Sequence, residues 1–234
     1  MKILAISDVE DRALEKLITE TPGRFGDISS ICSCGDLRPK YIEYVADGLR
    51  KSLYFVEGNH HNLNRKKGLS LSSFYDREKH LELGGFNMHG HIVVSGEYIF
   101  AGFGGAMRYS AGPMQFSEAE MAKIVAKVQK KIKLRKFLDF ITGVKTEYKI
   151  IVLSHAPPAG IHDKSDVCHT GFKCFVSFIE KVKPFLWLHG HVHLEGQMRH
   201  QESMAGGTKV INVCGSKIIE VTAEGIVSKN IYEL

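Results

Sequence analysis

Short apolar runs in this chain stop, one after another, on the same kind of polar tip. Residues 2–6 end in Ser7-Asp8, residues 28–34 in Gly35-Asp36, and residues 52–56 in Gly58-Asn59-His60-His61. Later, residues 149–153 end in Ser154-His155-Ala156-Pro157-Pro158, and residues 185–188 in His189-Gly190-His191-Val192-His193. Each run has the length and the apolar character of a buried strand. Between the first three, residues 12–21 carry helical spacing (Leu14, Leu17, Ile18) until Pro22-Gly23 stops them. Residues 41–49 read as a second helix after Pro39. Strand, polar tip, helix, strand is the α/β pattern, in which ligands sit beyond the carboxyl ends of the strands.

The middle of the chain reads differently. Residues 92–95 and 98–102, separated by Gly96-Glu97, have the form of an antiparallel hairpin. A glycine-rich segment follows, from Gly102 to Gly112. Ser117 with Glu120 three residues on is a capping-box signature, opening a helix expected to run to about residue 141. Residues 172–182 read as another helix, and residues 209–213, 217–221 and 226–229 as closing strands. No repeat, low-complexity stretch or linker divides the chain, so a single domain over residues 1–234 is expected.

Composition narrows the class. With 44% hydrophobic and 24% charged residues in 234, the chain has material for a full core, which excludes disordered and fibrous classes. No apolar run approaches the roughly 20 residues that cross a bilayer. The carboxylate of Asp8 comes too early for a secretory signal, so a cytoplasmic location and no membrane partner are expected. The net charge of +5 suits an anionic substrate without demanding nucleic acid. Five cysteines, an odd number, do not suggest a disulfide framework.

The chemistry lies in the tips. Asp8, Asp36, Asn59, His60, His155, His191 and His193 are carboxylate, carboxamide and imidazole groups with no thiolate among them. Such donors suit Mn²⁺, Fe or Zn²⁺ better than a cysteine-type structural zinc. Alternation along an extended segment would turn His191 and His193 to one side. The set is too large for one ion. Two ions about 3.5–4 Å apart, sharing a carboxylate, would use it, clamp a phosphate and make a bridging water acidic enough to attack near neutral pH.

In this order, Ser7-Asp8, Cys34-Gly35-Asp36, Gly58-Asn59-His60, Ser154-His155-Ala156-Pro157-Pro158 and Gly190-His191-Val192-His193 resemble the calcineurin-like metallophosphoesterase superfamily, over residues 8 to 193. The stretch from Gly104-Gly105-Ala106-Met107-Arg108-Tyr109 through Gly112-Pro113 to Gln115-Phe116 is similar to a small prokaryotic single-domain branch of it. The resemblance implies a four-layer αββα sandwich of two mixed β-sheets flanked by helices, with a dimetal site at the strand C-terminal ends. It implies Asp8 and His193 on a first metal, Asp36 bridging, and Asn59, His155 and His191 on a second. His60 would contact the phosphate and protonate the leaving oxygen. The implied activity is hydrolysis of a phosphodiester or phosphomonoester, a nucleotide-like small molecule being favoured, by attack of a metal-bridging hydroxide.

The sequence departs from the family pattern at two tips. Glu10 stands where the family usually has histidine. As a ligand it would harden the site and favour Mn²⁺ or Mg²⁺, with Fe and Zn²⁺ as alternatives. His61 stands where an acidic residue usually follows the histidine. Gly35-Asp36-Leu37-Arg38-Pro39 also lacks the Asp-Arg-Gly extension of protein phosphatases, which argues against a protein substrate. Arg108 is a candidate phosphate clamp, and His169 a candidate substrate contact, with a surface role and helix capping as their respective alternatives. Tyr109 and Phe116 are candidates for stacking or for packing. The lysine-rich residues 119–136 read as a solvated helix face, or as a nucleic-acid patch in a metal-dependent nuclease. A non-catalytic scaffold, like the retromer subunit with this fold, is the remaining alternative.

Overall fold

The computed structural model describes residues 1–60, 85–194, 200–222 and 225–233. The N-terminal run forms β1 (Lys2–Ser7) and leads into α1 (Arg12–Glu20), whose cap Asp11 accepts the Ala13 N–H. Then come β2 (Ser30–Ser33), α2 (Pro39–Leu49) with proline in its first turn, β3 (Ser52–Phe55) and β4 (Gly85–Asn87). The expected hairpin is β5 (Ile92–Ser95) and β6 (Tyr98–Phe103), paired antiparallel. The glycine-rich segment closes on itself through two short parallel strands, β7 (Ala106–Met107) and β8 (Gln115–Phe116). α3 (Glu118–Ile141) carries the full capping box, Ser117 and Glu120 each satisfying the other's backbone. The remainder is β9 (Lys149–Ser154), α4 (Lys173–Val182), β10 (Leu186–His189), β11 (Glu202–Ala205), β12 (Thr208–Asn212), β13 (Gly215–Val221) and β14 (Ile226–Asn230).

Two mixed six-stranded sheets result, in the orders β14-β13-β1-β2-β3-β4 and β11-β12-β10-β9-β6-β5. In the first sheet β1, β2, β3 and β4 run parallel, and β13 and β14 add antiparallel pairs at one side; in the second, β6, β9, β10 and β12 run parallel between the antiparallel edge strands β5 and β11. The apolar contacts sort into layers. Ile3 and Ala5 of β1 meet Phe100, Ile151, Leu188 and Ile211 of the second sheet, while Leu4 and Ile6 face Leu14, Ile18 and Val45 of the first two helices. On the far side, Phe103, Val152 and Trp187 pack under Val125, Val128, Phe175 and Phe178 of α3 and α4. This is the αββα sandwich, and it explains why β1 reads as an unbroken apolar run: a strand covered on both faces has no polar alternation. Trp187 donates its indole N–H to Ser154 Oγ at 2.8 Å, so the largest core side chain leaves no buried donor unpaired.

The mixed composition of β11 does not announce a strand. Its pairing partner explains it: Gly206 and Gly207, both at positive φ (55° and 85°), make the two-residue turn that folds β11 antiparallel onto β12. No described helix is long and apolar enough to cross a membrane.

Candidate metal centre

Within each sheet, backbone bonds tie neighbouring strand tips together. The Asp8 N–H donates to the Gly35 carbonyl at 3.1 Å, and the Gly190 N–H to that of His155 at 3.1 Å. Asp8, Asp36 and His191 sit at φ 63°, 54° and 68°, the left-handed region that side-chain-bearing residues avoid. The Val9 N–H to Ser7 carbonyl (2.6 Å) and Val192 N–H to Gly190 carbonyl (2.8 Å) bonds close tight turns around Asp8 and His191. Such conformations cost of order 1–3 kcal/mol each and persist where surrounding structure enforces them. Here they turn three candidate ligands out of the strands and towards one another. Two glycines make room: a Cβ on Gly58 would strike the Asp36 carboxylate, and one on Gly190 the Asp8 carboxylate and Ser7 Oγ.

The donors converge with their outer atoms occupied. His155 is fully buried, and its Nδ1–H donates to the Cys34 carbonyl at 2.8 Å. That leaves Nε2 facing inward, 2.9 Å from Asn59 Oδ1 and 3.3 Å from Asp36 Oδ2. Asn59 donates its amide N–H to the Tyr109 hydroxyl at 2.9 Å, which fixes Oδ1 as the inward atom. His191 donates Nε2–H to the Cys168 carbonyl at 2.7 Å, leaving Nδ1 free as a ligand. Asp36 also accepts the His60 backbone N–H at 2.9 Å. Ligand atoms of Asp36, His155 and His191 all lie within 4.8 Å of one another.

Electrostatics follow from this crowding. Burial alone would lower the His155 pKa, but the Asp36 charge and hydrogen bond raise it to about 9. Burial resists ionisation of Asp36, yet the neighbouring His155 holds its carboxyl well below the usual range. Burial, then the charge of His155, pushes His191 down to about 3. Burial raises Asp8, partly offset by His155. Asp36 is thus held ionised beside His155, whose Nε2 must give up its proton before it can serve as a ligand atom; with that proton gone, Asp36, Asn59, His155 and His191 turn lone pairs inward. That donor set fits a divalent cation: two oxygens and two imidazole nitrogens, each oriented by a second hydrogen bond.

Around this nucleus, Asp8 is wholly covered and both its oxygens accept the His191 N–H at 3.0 Å. His193, more than half exposed, brings Nε2 to 3.9 Å from Asp8 Oδ1. Glu10 is placed elsewhere: its carboxylate takes the Arg38 guanidinium on both oxygens, with Nε at 2.6 Å, and Arg38 holds it below the usual carboxylate range. Arg108 is likewise engaged, by Glu120 at 2.7 Å and the Gln115 carbonyl at 3.2 Å, tying β8 to the start of α3. His169 does lie beside the centre. Asp166 holds its Nδ1 at 2.8 Å, and its ring centroid is 5.1 Å from that of His191. Phe116 stacks on His89 at 5.2 Å. His60 is exposed at the rim, and His61 lies outside the described residues.

Two contributors were not legible as such. The Cys168 carbonyl and the Tyr109 hydroxyl orient ligands across 23 and 50 residues of chain, and no local pattern announces such contacts. A third group stands behind β10. Ser203 Oγ bonds His162 Nε2 at 2.7 Å, His162 Nδ1 bonds His189 Nε2 at 2.9 Å, and His189 Nδ1 bonds the Gly190 carbonyl at 3.0 Å. This chain steadies the turn that presents His191.

Sandwich and centre together are those of a metal-dependent phosphoesterase. The family model for calcineurin-like phosphoesterase matches residues 1–195, and the chain belongs to that family. No curated protein matches it in sequence. Among solved structures it is similar to protein TT1561 of Thermus thermophilus (16% identity, TM-score 0.63, 98% of each chain covered). It is also similar to a dimetal phosphatase from Danio rerio (12% identity, TM-score 0.60, covering 98% of this chain and 95% of that one). A third is the phosphopantetheinyl hydrolase of Mycobacterium tuberculosis (13% identity, TM-score 0.55, covering 91% and 88%). At these identities the likeness is one of fold.

Proposed function

We propose that the chain hydrolyses a small phosphate ester, a nucleotide-like phosphodiester ahead of a monoester, at a centre for two divalent ions; with Glu10 bound to Arg38 and not a ligand, the remaining oxygen and imidazole donors suit Mn²⁺, Fe or Zn²⁺. The observation that carries this reading is the convergence of Asp36, Asn59, His155 and His191, each with its outer atom tied so that a ligand atom faces inward. Asp36, Asn59, His155 and His191 would hold one ion, and Asp8 and His193 the other, with Asp36 shared. Bound there, the ions would supply Lewis acidity and activate water near neutral pH. Glu10, held by Arg38, keeps the β1 tip in place against the start of α2 in this reading. His60 meets the phosphate from the rim and gives a proton to the leaving oxygen, a role worth about 10²–10⁴ in rate. His169, beside His191, is the candidate substrate contact, and Arg108 braces the loop that carries Tyr109. The absence of an Asp-Arg-Gly extension favours a small substrate over a protein.

The test compares bis-p-nitrophenyl phosphate with p-nitrophenyl phosphate, using metal-stripped protein titrated with Mn²⁺. Diester turnover should require Mn²⁺, collapse in Asp36→Asn, and fall about 10²–10⁴-fold in His60→Ala, which should still bind Mn²⁺ by calorimetry. Absence of turnover with Mn²⁺, Fe²⁺, Zn²⁺ and Mg²⁺ on both esters would reject hydrolysis in favour of a scaffold with this fold.

A further inference from the structure

α3 is a helix with two apolar faces. One is the core face of Met121, Val125, Val128 and Ile132. On the opposite side, a stripe at alternating spacings of four and three residues runs Lys123, Lys127, Lys130, Leu134, Phe137, Ile141, every member exposed. It changes character halfway: lysines in the first half, large apolar side chains in the second. Leu134, Phe137, Phe140 and Ile141 are 56%, 58%, 80% and 58% exposed, and Leu138 and Val144 widen the patch. Core packing does not account for this second face, and contiguous exposed apolar surface of this kind marks a docking site.

Charge identifies the occupant. Lys130, Lys133, Lys136 and Lys145 are exposed around the patch. Asp139, the single acidic residue from 121 to 141, is buried and bound to Arg135 and Tyr148. Glu147, just beyond the helix, is the nearest exposed carboxylate in sequence. We propose that the C-terminal half of α3 docks on an anionic lipid surface, Phe137, Phe140 and Ile141 entering the headgroup layer and the lysines meeting lipid phosphates. A second copy of the chain fits less well, because a two-fold contact through the patch would set these lysines against one another. Nucleic acid fits less well too. Phe137 and Phe140 could each stack on a base, but Leu134, Leu138, Ile141 and Val144 make most of the patch aliphatic, and Lys123 and Lys127 lie at the other end of the stripe. The inference is independent of catalysis and revises the expectation of no membrane partner: the surface binds lipid without spanning it.

Flotation of the full chain with vesicles tests it. The protein should float with phosphatidylcholine vesicles containing phosphatidylglycerol and not with phosphatidylcholine alone, the binding fading as salt is raised. Phe137→Ser combined with Phe140→Ser and Ile141→Ser should abolish flotation without lowering the melting temperature, since these side chains are exposed. Lys130→Gln and Lys133→Gln should each weaken binding about fivefold and shallow its salt dependence. No flotation at low salt, or flotation indifferent to the triple variant, would overturn the proposal. So would a dimer in sedimentation that Phe140→Ser dissociates, which would assign the face to a second copy. Binding to a single-stranded oligonucleotide that the triple variant loses, with no vesicle binding, would assign it to nucleic acid.

Discussion

His155 and Asn59 meet nose to nose, and neither would hold that pose unaided. An imidazole has two nitrogens and an amide two ends; which one faces a cation is decided by what binds the other. Cys34 settles it for His155, Cys168 for His191 and Tyr109 for Asn59. Tyr109→Phe removes only a hydroxyl, yet should weaken Mn²⁺ binding by about 10–100-fold in calorimetry while leaving the fold intact by circular dichroism. If affinity is unchanged, Asn59 is oriented by its contact with His155 alone. Residue identities at the tips were readable in sequence; their partners were not. Glu10 illustrates the difference. Expected as a ligand, it faces Arg38, because a guanidinium fork matches both carboxylate oxygens and α2 delivers one to within reach.

At the scale of elements, sequence and structure agree wherever the signal is local. Ser117 and Glu120 announced the start of α3, and both halves of the capping box are present. Ser117→Ala should cost about 1 kcal/mol, read as a lower denaturant midpoint with an unchanged slope. Gly96-Glu97 announced the β5–β6 turn, whereas β11 was not read as a strand and is defined by its pairing with β12 across Gly206-Gly207. What a helical period cannot give is which of two apolar stripes faces in. Leu134 lies in the same interleaved pattern as Val128 and Ile132, yet it is exposed while they are buried. Only the packing of α3 over β6 and α4 separates them.

At the scale of the whole molecule, three apolar layers hold two sheets so that their tips meet, and the same burial creates a pH liability. His89 is buried, accepts the Gly104 N–H through Nδ1 at 2.9 Å and stacks on Phe116. Burial, with lesser contributions from His91 and Lys127, lowers its pKa from the ordinary 6.5 to about 4. Between those values the unfolded chain takes up a proton that the folded one refuses. Acid therefore favours unfolding, by on the order of 3 kcal/mol once pH has fallen through the window. Melting temperature followed from pH 7 to pH 4 should drop more steeply for the wild type than for His89→Gln; parallel curves would assign acid lability to other groups. Local order was enough to set the four helices, most of the strands and the donor types at each strand end, because periodicity, caps and turn residues act over a few positions; β4, β7, β8 and β11 took shape only through their pairing partners. Which donors meet, and through which atom, came from the fold. Those contacts join His155 to Cys34 across 121 residues and His191 to Asp8 across 183, and they exist only once the two sheets have packed.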